Sequence, residues 1–208
     1  MPNKKILKPS KTPIVRKPIA IQKAKELYDY VKNMEVMLRS KIILTDLSKF
    51  IEKLDIDVLF IDINNLENLP IKDDDVSGIL VKDNGEYTIY VNENDSAISQ
   101  RWTIAHEIGH YMLGHLCNKE AQSIRISYKA DNREEYAKRR SIARNQNSGA
   151  NTTDPLESVA NDFAAELLMP ETLTKYAYAV HGNIRKVAAI FAVSEKTAEI
   201  RLKELDII

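Results

Sequence analysis

The stretch His106-Glu107-Ile108-Gly109-His110 sets three strongly polar side chains among Trp102, Ile104, Ala105, Met112 and Leu113. Those apolar flanks predict a buried helix. A buried carboxylate beside two buried imidazoles is costly unless each finds a partner, so the fold has to supply one. On a helix, residues i and i+4 lie one above the other on a single face. His106 and His110 then stand where one tetrahedral zinc accepts both. Glu107 projects to the side, close enough to contact a water on that metal and act as its general base. Gly109 is a poor helix former, and it leaves room for a substrate or a backbone to approach. The competing reading of so short a match is an amphipathic helix that merely carries two His on one face.

A catalytic zinc needs a third protein ligand and an open position. His115 lies five residues after His110, not the six of the H-E-x-x-H-x-x-G-x-x-H arrangement. On the same helix it points away from the metal and reads as a supporting or structural residue. Cys117 is the one cysteine, and a lone Cys near a helix end reads as a small buried residue. Glu157 opens a strong helix that stops at Pro170, with Asp154 as N-cap and Pro155 in the first turn. Its apolar face holds Phe163, Leu167 and Leu168. Glu157 reads as the third ligand, and it also fits the acid of a capping box. Asn161 shares the face of Glu157, and its side-chain carbonyl is placed to accept the free ring N–H of a ligand His. Asp162 and Glu166 fall on other faces and are weaker candidates.

Two segments, Arg101–His115 and Ala160–Pro170, together resemble the ImmA/IrrE family of zinc metallopeptidases. Val76-Ser77-Gly78 through Ile89-Tyr90-Val91-Asn92 fits as well, as does Phe191-Ala192-Val193-Ser194 followed by Arg201-Leu202. The resemblance spans roughly residues 40 to 205. Trp102 stands where Phe is more usual, the stretch from His115 to Glu157 is long, and the first forty residues match nothing in the family. The resemblance implies an α+β, zincin-like fold, with a small mixed or antiparallel sheet packed on helices. It implies a gluzincin-like set of His106, His110 and Glu157 on Zn2+, with Glu107 as catalytic base. It also implies cleavage of a regulatory protein, such as a phage, mobile-element or stress-response repressor, which would make the chain an anti-repressor. Some members act as antitoxins or regulators, so a non-proteolytic regulator working by protein binding is the alternative.

Composition narrows the setting. One cysteine rules out an intrachain disulfide framework and fits a reducing cytosol. No run of about 18 apolar residues marks a membrane span. The basic N-terminus lacks the apolar core of a signal peptide, so the expectation is a cytoplasmic protein. Lys and Arg total 30 against 30 Asp and Glu, yet the charges are segregated. The first 25 residues are basic without an acid, residues 46 to 95 are acidic around Asp73-Asp74-Asp75, and 119 to 144 turn basic again around Lys138-Arg139-Arg140. Such asymmetry steers partners, or simply marks a tail and solvated faces.

Three regions follow. Residues 1–18, with four prolines among lysines, read as a flexible basic tail. Residues 19–172 form the zincin-like domain. Within it, one helix is predicted from about Ala20 to Ser40, with Ala24, Leu27, Tyr28, Val31, Met34 and Leu38 on one stripe. A second, capped by Thr45 or Asp46, ends at Leu54, and a strand from Asp57 to Ile63 ends in a loop at Asn64-Asn65. Gly78–Val81 and Tyr87–Val91 read as a hairpin about Asp83-Asn84-Gly85. In zincin-like folds a strand of this kind binds an extended peptide by β-addition, an expectation carried by the resemblance. A charged helix over Glu134–Arg144 and a loop at Asn145–Gly149 flank the cleft. Residues 173–208 hold a helix-turn-helix-like pair broken at Ala192-Val193-Ser194, with Ser194 as N-cap. Its balanced charge argues against direct DNA binding. Tyr176, Tyr178 and His181 are candidate donors to the oxyanion of a cleaved peptide bond.

Overall fold

The structure, a computed structural model, describes residues 8–35, 45–63, 76–116, 122–128 and 155–208. Among these residues the chain forms seven helices and one four-stranded mixed sheet. The order is α1 (Lys17–Glu35), α2 (Leu47–Leu54), β1 (Asp57–Ile61), β2 (Val76–Asp83), β3 (Glu86–Asn92), α3 (Ala97–Met112), β4 (Gln122–Tyr128), α4 (Pro155–Leu168), α5 (Glu171–His181), α6 (Ile184–Phe191) and α7 (Glu195–Glu204). Asp154, Cys117, the far end of the first predicted helix, the Asn64-Asn65 loop, the predicted helix over Glu134–Arg144 and the loop after it lie outside the described residues.

The sheet grows from the Asn84-Gly85 turn. Both residues have positive φ, as a two-residue hairpin of matched twist requires. The pairing runs from Asp83↔Glu86 to Gly78↔Val91: it ends at the predicted Gly78 and Val91 and is longer only at the turn. β1 joins the other side of β3 in parallel, and β4 joins β2 antiparallel, giving the order β1-β3-β2-β4. β3 is therefore an interior strand. The expectation that the strand leading into the motif helix accepts a substrate by β-addition is overturned, because both of its edges are already paired. Among the described residues the sheet edges are β1 and β4.

Side-chain alternation gives the sheet two unlike faces. Leu80, Ile89 and Val91 join the main core with α3 and α4, while Ile79, Val76 and Ile63 form a small separate cluster with Val81 and Ile126 packed against it. Asn92 ends β3: its buried Nδ2 donates to the Val76 carbonyl at 3.0 Å and its Oδ1 accepts from Asn94 N at 3.1 Å. Four residues later Ser96 caps α3 by accepting from Ser99 N at 3.2 Å. The short, fully bonded connection fixes where α3 starts relative to the sheet.

Asp46, not Thr45, caps α2, accepting from Ser48 N at 3.1 Å. Thr45 is buried and donates instead to the Leu167 carbonyl at 3.0 Å. The N-terminal tail is also not free over its described part. Ser10 N donates to the Met112 carbonyl at 3.0 Å, and Ile14 N to the Leu113 carbonyl at 2.9 Å. Residues 10–14 thus strap the C-terminal end of α3. Gly114 permits this: its φ is +73°, and a Cβ there would meet the Ser10 carbonyl oxygen at 2.4 Å.

Both C-terminal helices lie where the sequence puts them. Asn183 caps α6, Ala192 takes the left-handed conformation after it, and Ser194 caps α7 by accepting from Thr197 N at 3.0 Å. Val187, Ala188, Phe191 and Ala198 belong to the same core as α3 and α4.

Candidate metal centre

α3 is buried along most of its length, because it lies between the sheet and α4. Gly109 sets how closely α3 and α4 approach. A Cβ at this position would meet the Ala160 carbonyl oxygen at 3.1 Å and the Phe163 ring at 3.2 Å. The approach that Gly109 allows is therefore that of a helix backbone. His106 precedes Gly109 by three residues and Glu157 precedes Ala160 by three. The crossing consequently brings the two side chains together, although 51 residues separate them in sequence.

His106, His110 and Glu157 offer ligand atoms that all lie within 4.8 Å of one another. The two Nε2 atoms are 2.9 Å apart. Glu157 Oε2 is 3.1 Å from His106 Nε2, and Oε1 is 3.4 Å from His110 Nε2. Zinc bonds of about 2.0–2.1 Å at tetrahedral angles would separate ligand atoms by roughly 3.3 Å. Donor type, convergence and spacing therefore fit a divalent metal. Glu157 sits in the first turn of α4, where the helix dipole favours a carboxylate. Its carboxylate reaches α3, so a ligand role fits its position.

The electrostatics point the same way. Burial, with the neighbouring His106 adding to it, holds His110 well below the ordinary imidazole range, so its ring is neutral. Burial alone would push the Glu157 carboxyl up, but the two imidazoles packed against it outweigh that and keep the group far below the usual carboxylate range. A neutral His110 and an ionised Glu157 are protonation states that metal binding needs.

Glu107 is fully buried and stands apart from this cluster. It faces β2, where its Oε1 lies 3.2 Å from the point a Cβ on Gly78 would occupy; Thr103 Cγ2 would lie 2.4 Å from the same point. Gly78 thus clears the space beside the carboxylate.

Sequence reasoning missed one residue of the site. Arg125 projects from β4, where it pairs with Leu80 on the face of the sheet turned toward α3. Its guanidinium donates to Glu157 Oε1 at 2.7 Å, and its Nε donates to His110 Nε2 at 3.3 Å. The available signal was the alternation Ser123-Ile124-Arg125-Ile126-Ser127, a period-two pattern inside a stretch otherwise read only as basic.

The remaining candidates separate. Asp162 pairs with Lys17 at 2.9 Å, and Glu166 is buried in an ion pair with Arg201, so neither weaker acid joins the cluster. His110 Nδ1 faces His115, and the buried His106 Nδ1 has no hydrogen-bond partner among the described residues. Neither ring is therefore held by Asn161 in this structure. Tyr176 is 62% exposed, while Tyr178 packs against the main core.

The model of the IrrE N-terminal-like domain, a peptidase family, matches residues 51–203. The chain belongs to this family. The match covers the sheet, α3, α4 and most of the C-terminal helices, and a peptidase family implies a protein substrate. No curated protein matches the chain. Among the described residues no helix is long and apolar enough to cross a membrane.

Proposed function

We propose that this protein is a zinc-dependent endopeptidase of the cytoplasm that cleaves a regulatory protein of the repressor type. The observation that carries the reading is the convergence of His106, His110 and Glu157 beside a separately placed, buried Glu107. His106 and His110 would hold the ion through Nε2 and Glu157 through its carboxylate, a donor set suited to zinc. When bound, the ion supplies Lewis acidity: it polarises the scissile carbonyl and lowers the pKa of water towards about 7. Glu107 accepts the proton of the attacking water and returns it to the leaving amine. Arg125, a cation within hydrogen-bond distance of Glu157 and His110, is the group we assign to stabilise charge developing on the carbonyl oxygen, ahead of Tyr176, Tyr178 and His181, for which no contact with the cluster is seen among the described residues. Among the described residues β4 is an edge strand and carries Arg125, so its outer edge is the place we assign to an extended peptide substrate. The repressor as substrate rests on the resemblance of the two motif segments to the ImmA/IrrE family. The single cysteine, Cys117, suits a reducing compartment.

Glu107→Gln tests the reading. The variant is expected to bind metal as the native protein does and to lose cleavage of its substrate, and a repressor encoded beside the gene is the first substrate to try. His110→Gln is expected to lose the metal. Full biological function in Glu107→Gln would reject proteolysis and leave a regulator that acts by binding.

A further inference from the structure

His115 has the wrong spacing from His110 for a ligand, and in the structure it does not join the metal cluster. It lies behind the cluster instead. Its Nδ1 is 2.6 Å from His110 Nδ1, and its Nε2 is 2.9 Å from the Ile14 carbonyl oxygen. The Ile14 carbonyl belongs to the strap that Ser10 N and Ile14 N fasten to the end of α3.

The protons along this chain follow from which atoms can donate. A carbonyl oxygen only accepts, so His115 Nε2 carries a proton and donates it to Ile14. A neutral His115 then has a bare Nδ1, which accepts from His110 Nδ1–H. With the His110 proton at Nδ1, the lone pair of that ring is at Nε2, the nitrogen that faces His106 and Glu157. Arg125 gives an independent check. Its Nε–H is a donor under all conditions, and it meets His110 Nε2 at 3.3 Å, so that nitrogen is an acceptor. Two separate neighbours, one on each side of the ring, favour the same tautomer, and the Glu157 Oε1 acceptor, 3.4 Å from Nε2, lies farther off than either.

We propose that His115 is a positioning residue that, anchored on the Ile14 carbonyl of the N-terminal strap, fixes His110 in the Nδ1–H tautomer with Nε2 ready for the metal. The inference rests on reading His106, His110 and Glu157 as a metal site. It gives the N-terminal segment a part in the site, since a backbone carbonyl 101 residues from His115 in sequence orients, through that ring, a ligand imidazole. His106 differs, because its buried Nδ1 meets no such partner among the described residues. The support is therefore specific to His110 and is not a general property of the helix.

The test uses the full chain. A long-range 1H–15N spectrum of the metal-free native protein is expected to show His110 protonated at Nδ1 and His115 at Nε2. His115→Leu, which keeps bulk but neither donates nor accepts, is expected to weaken zinc binding by about 10–100-fold in competition with a chromogenic chelator. His115→Gln, whose side-chain oxygen accepts and whose nitrogen donates, is expected to recover most of that loss. A merely structural His115 would not distinguish the Gln and Leu variants in this way once both are shown to be folded. An Nε2–H tautomer at His110, or native zinc affinity in folded His115→Leu, would overturn the proposal. If His115→Leu does not fold, the native spectrum decides alone. Failure of the native chain to bind zinc would reject the metal reading, while the spectrum would still judge the relay.

Discussion

At the scale of single residues, the site depends as much on two missing side chains as on the polar ones. Gly78 makes room beside Glu107, and a methyl group there would overlap Thr103 and press on the carboxylate. Gly78→Ala is accordingly expected to cost about 1–3 kcal/mol of stability, as overpacking of a filled core does. It is also expected to lower peptidase turnover with little change in zinc content. Denaturant unfolding and metal analysis of one preparation check both, and unchanged turnover would place Glu107 outside the chemistry. Glu107 and the two His are legible from a few letters because i, i+4 geometry is local. The role of Gly78 is not, because the atoms it avoids belong to a helix about 25 residues further along the chain.

At the scale of elements, the crossing of α3 and α4 turns two half-sites into one. Gly109 lies at the closest approach, against the Ala160 carbonyl and Phe163. Alanine is the better helix former by about 1 kcal/mol, so propensity alone predicts that Gly109→Ala stabilises. Neither a helix backbone nor a buried Phe ring yields readily, and the opposite sign is expected. The helices separate, Glu157 withdraws from His106, and zinc affinity falls at least tenfold, measured by chelator competition. Tight binding in this variant would show that the crossing does not set the ligand distance. The two helices were predictable from periodicity and from Pro155 and Pro170. Strand β4 was not, since seven residues beside a long basic stretch give a weak pattern, and with it Arg125 escaped notice. The docking of residues 10–14 was hidden for another reason. It uses backbone hydrogen bonds and a glycine, which leave no hydrophobic periodicity to read.

At the scale of the whole molecule, the C-terminal helices are bound into the peptidase core. Arg201 on α7 is buried, donates to the Met169 carbonyl at 3.2 Å and pairs with Glu166 near the end of α4. Removing one member of a buried pair strands the other. Arg201→Ala is expected to destabilise the whole chain by about 3–5 kcal/mol, whereas exchanging both partners for apolar residues of similar size should cost far less. A single urea transition that shifts as a unit would support one cooperative body, and a separate early transition would show that the C-terminal helices melt alone. Arg201, one of the basic residues of α7, is thus turned inward. The sequence by itself determined the chemistry available: two imidazoles and a carboxylate on one helix, an acid on another, a hairpin at Asn84-Gly85 and the Ser194 cap that starts α7. Each of these is settled by residues within about one or two turns of one another. Only the tertiary structure decided which acid meets the histidines, which arginine joins them, that β3 is interior, and that His115 links His110 to the N-terminal strap. Those outcomes depend on how closely α3 and α4 pack, on strand order and on backbone contacts between distant segments, none of which the local pattern of side chains encodes.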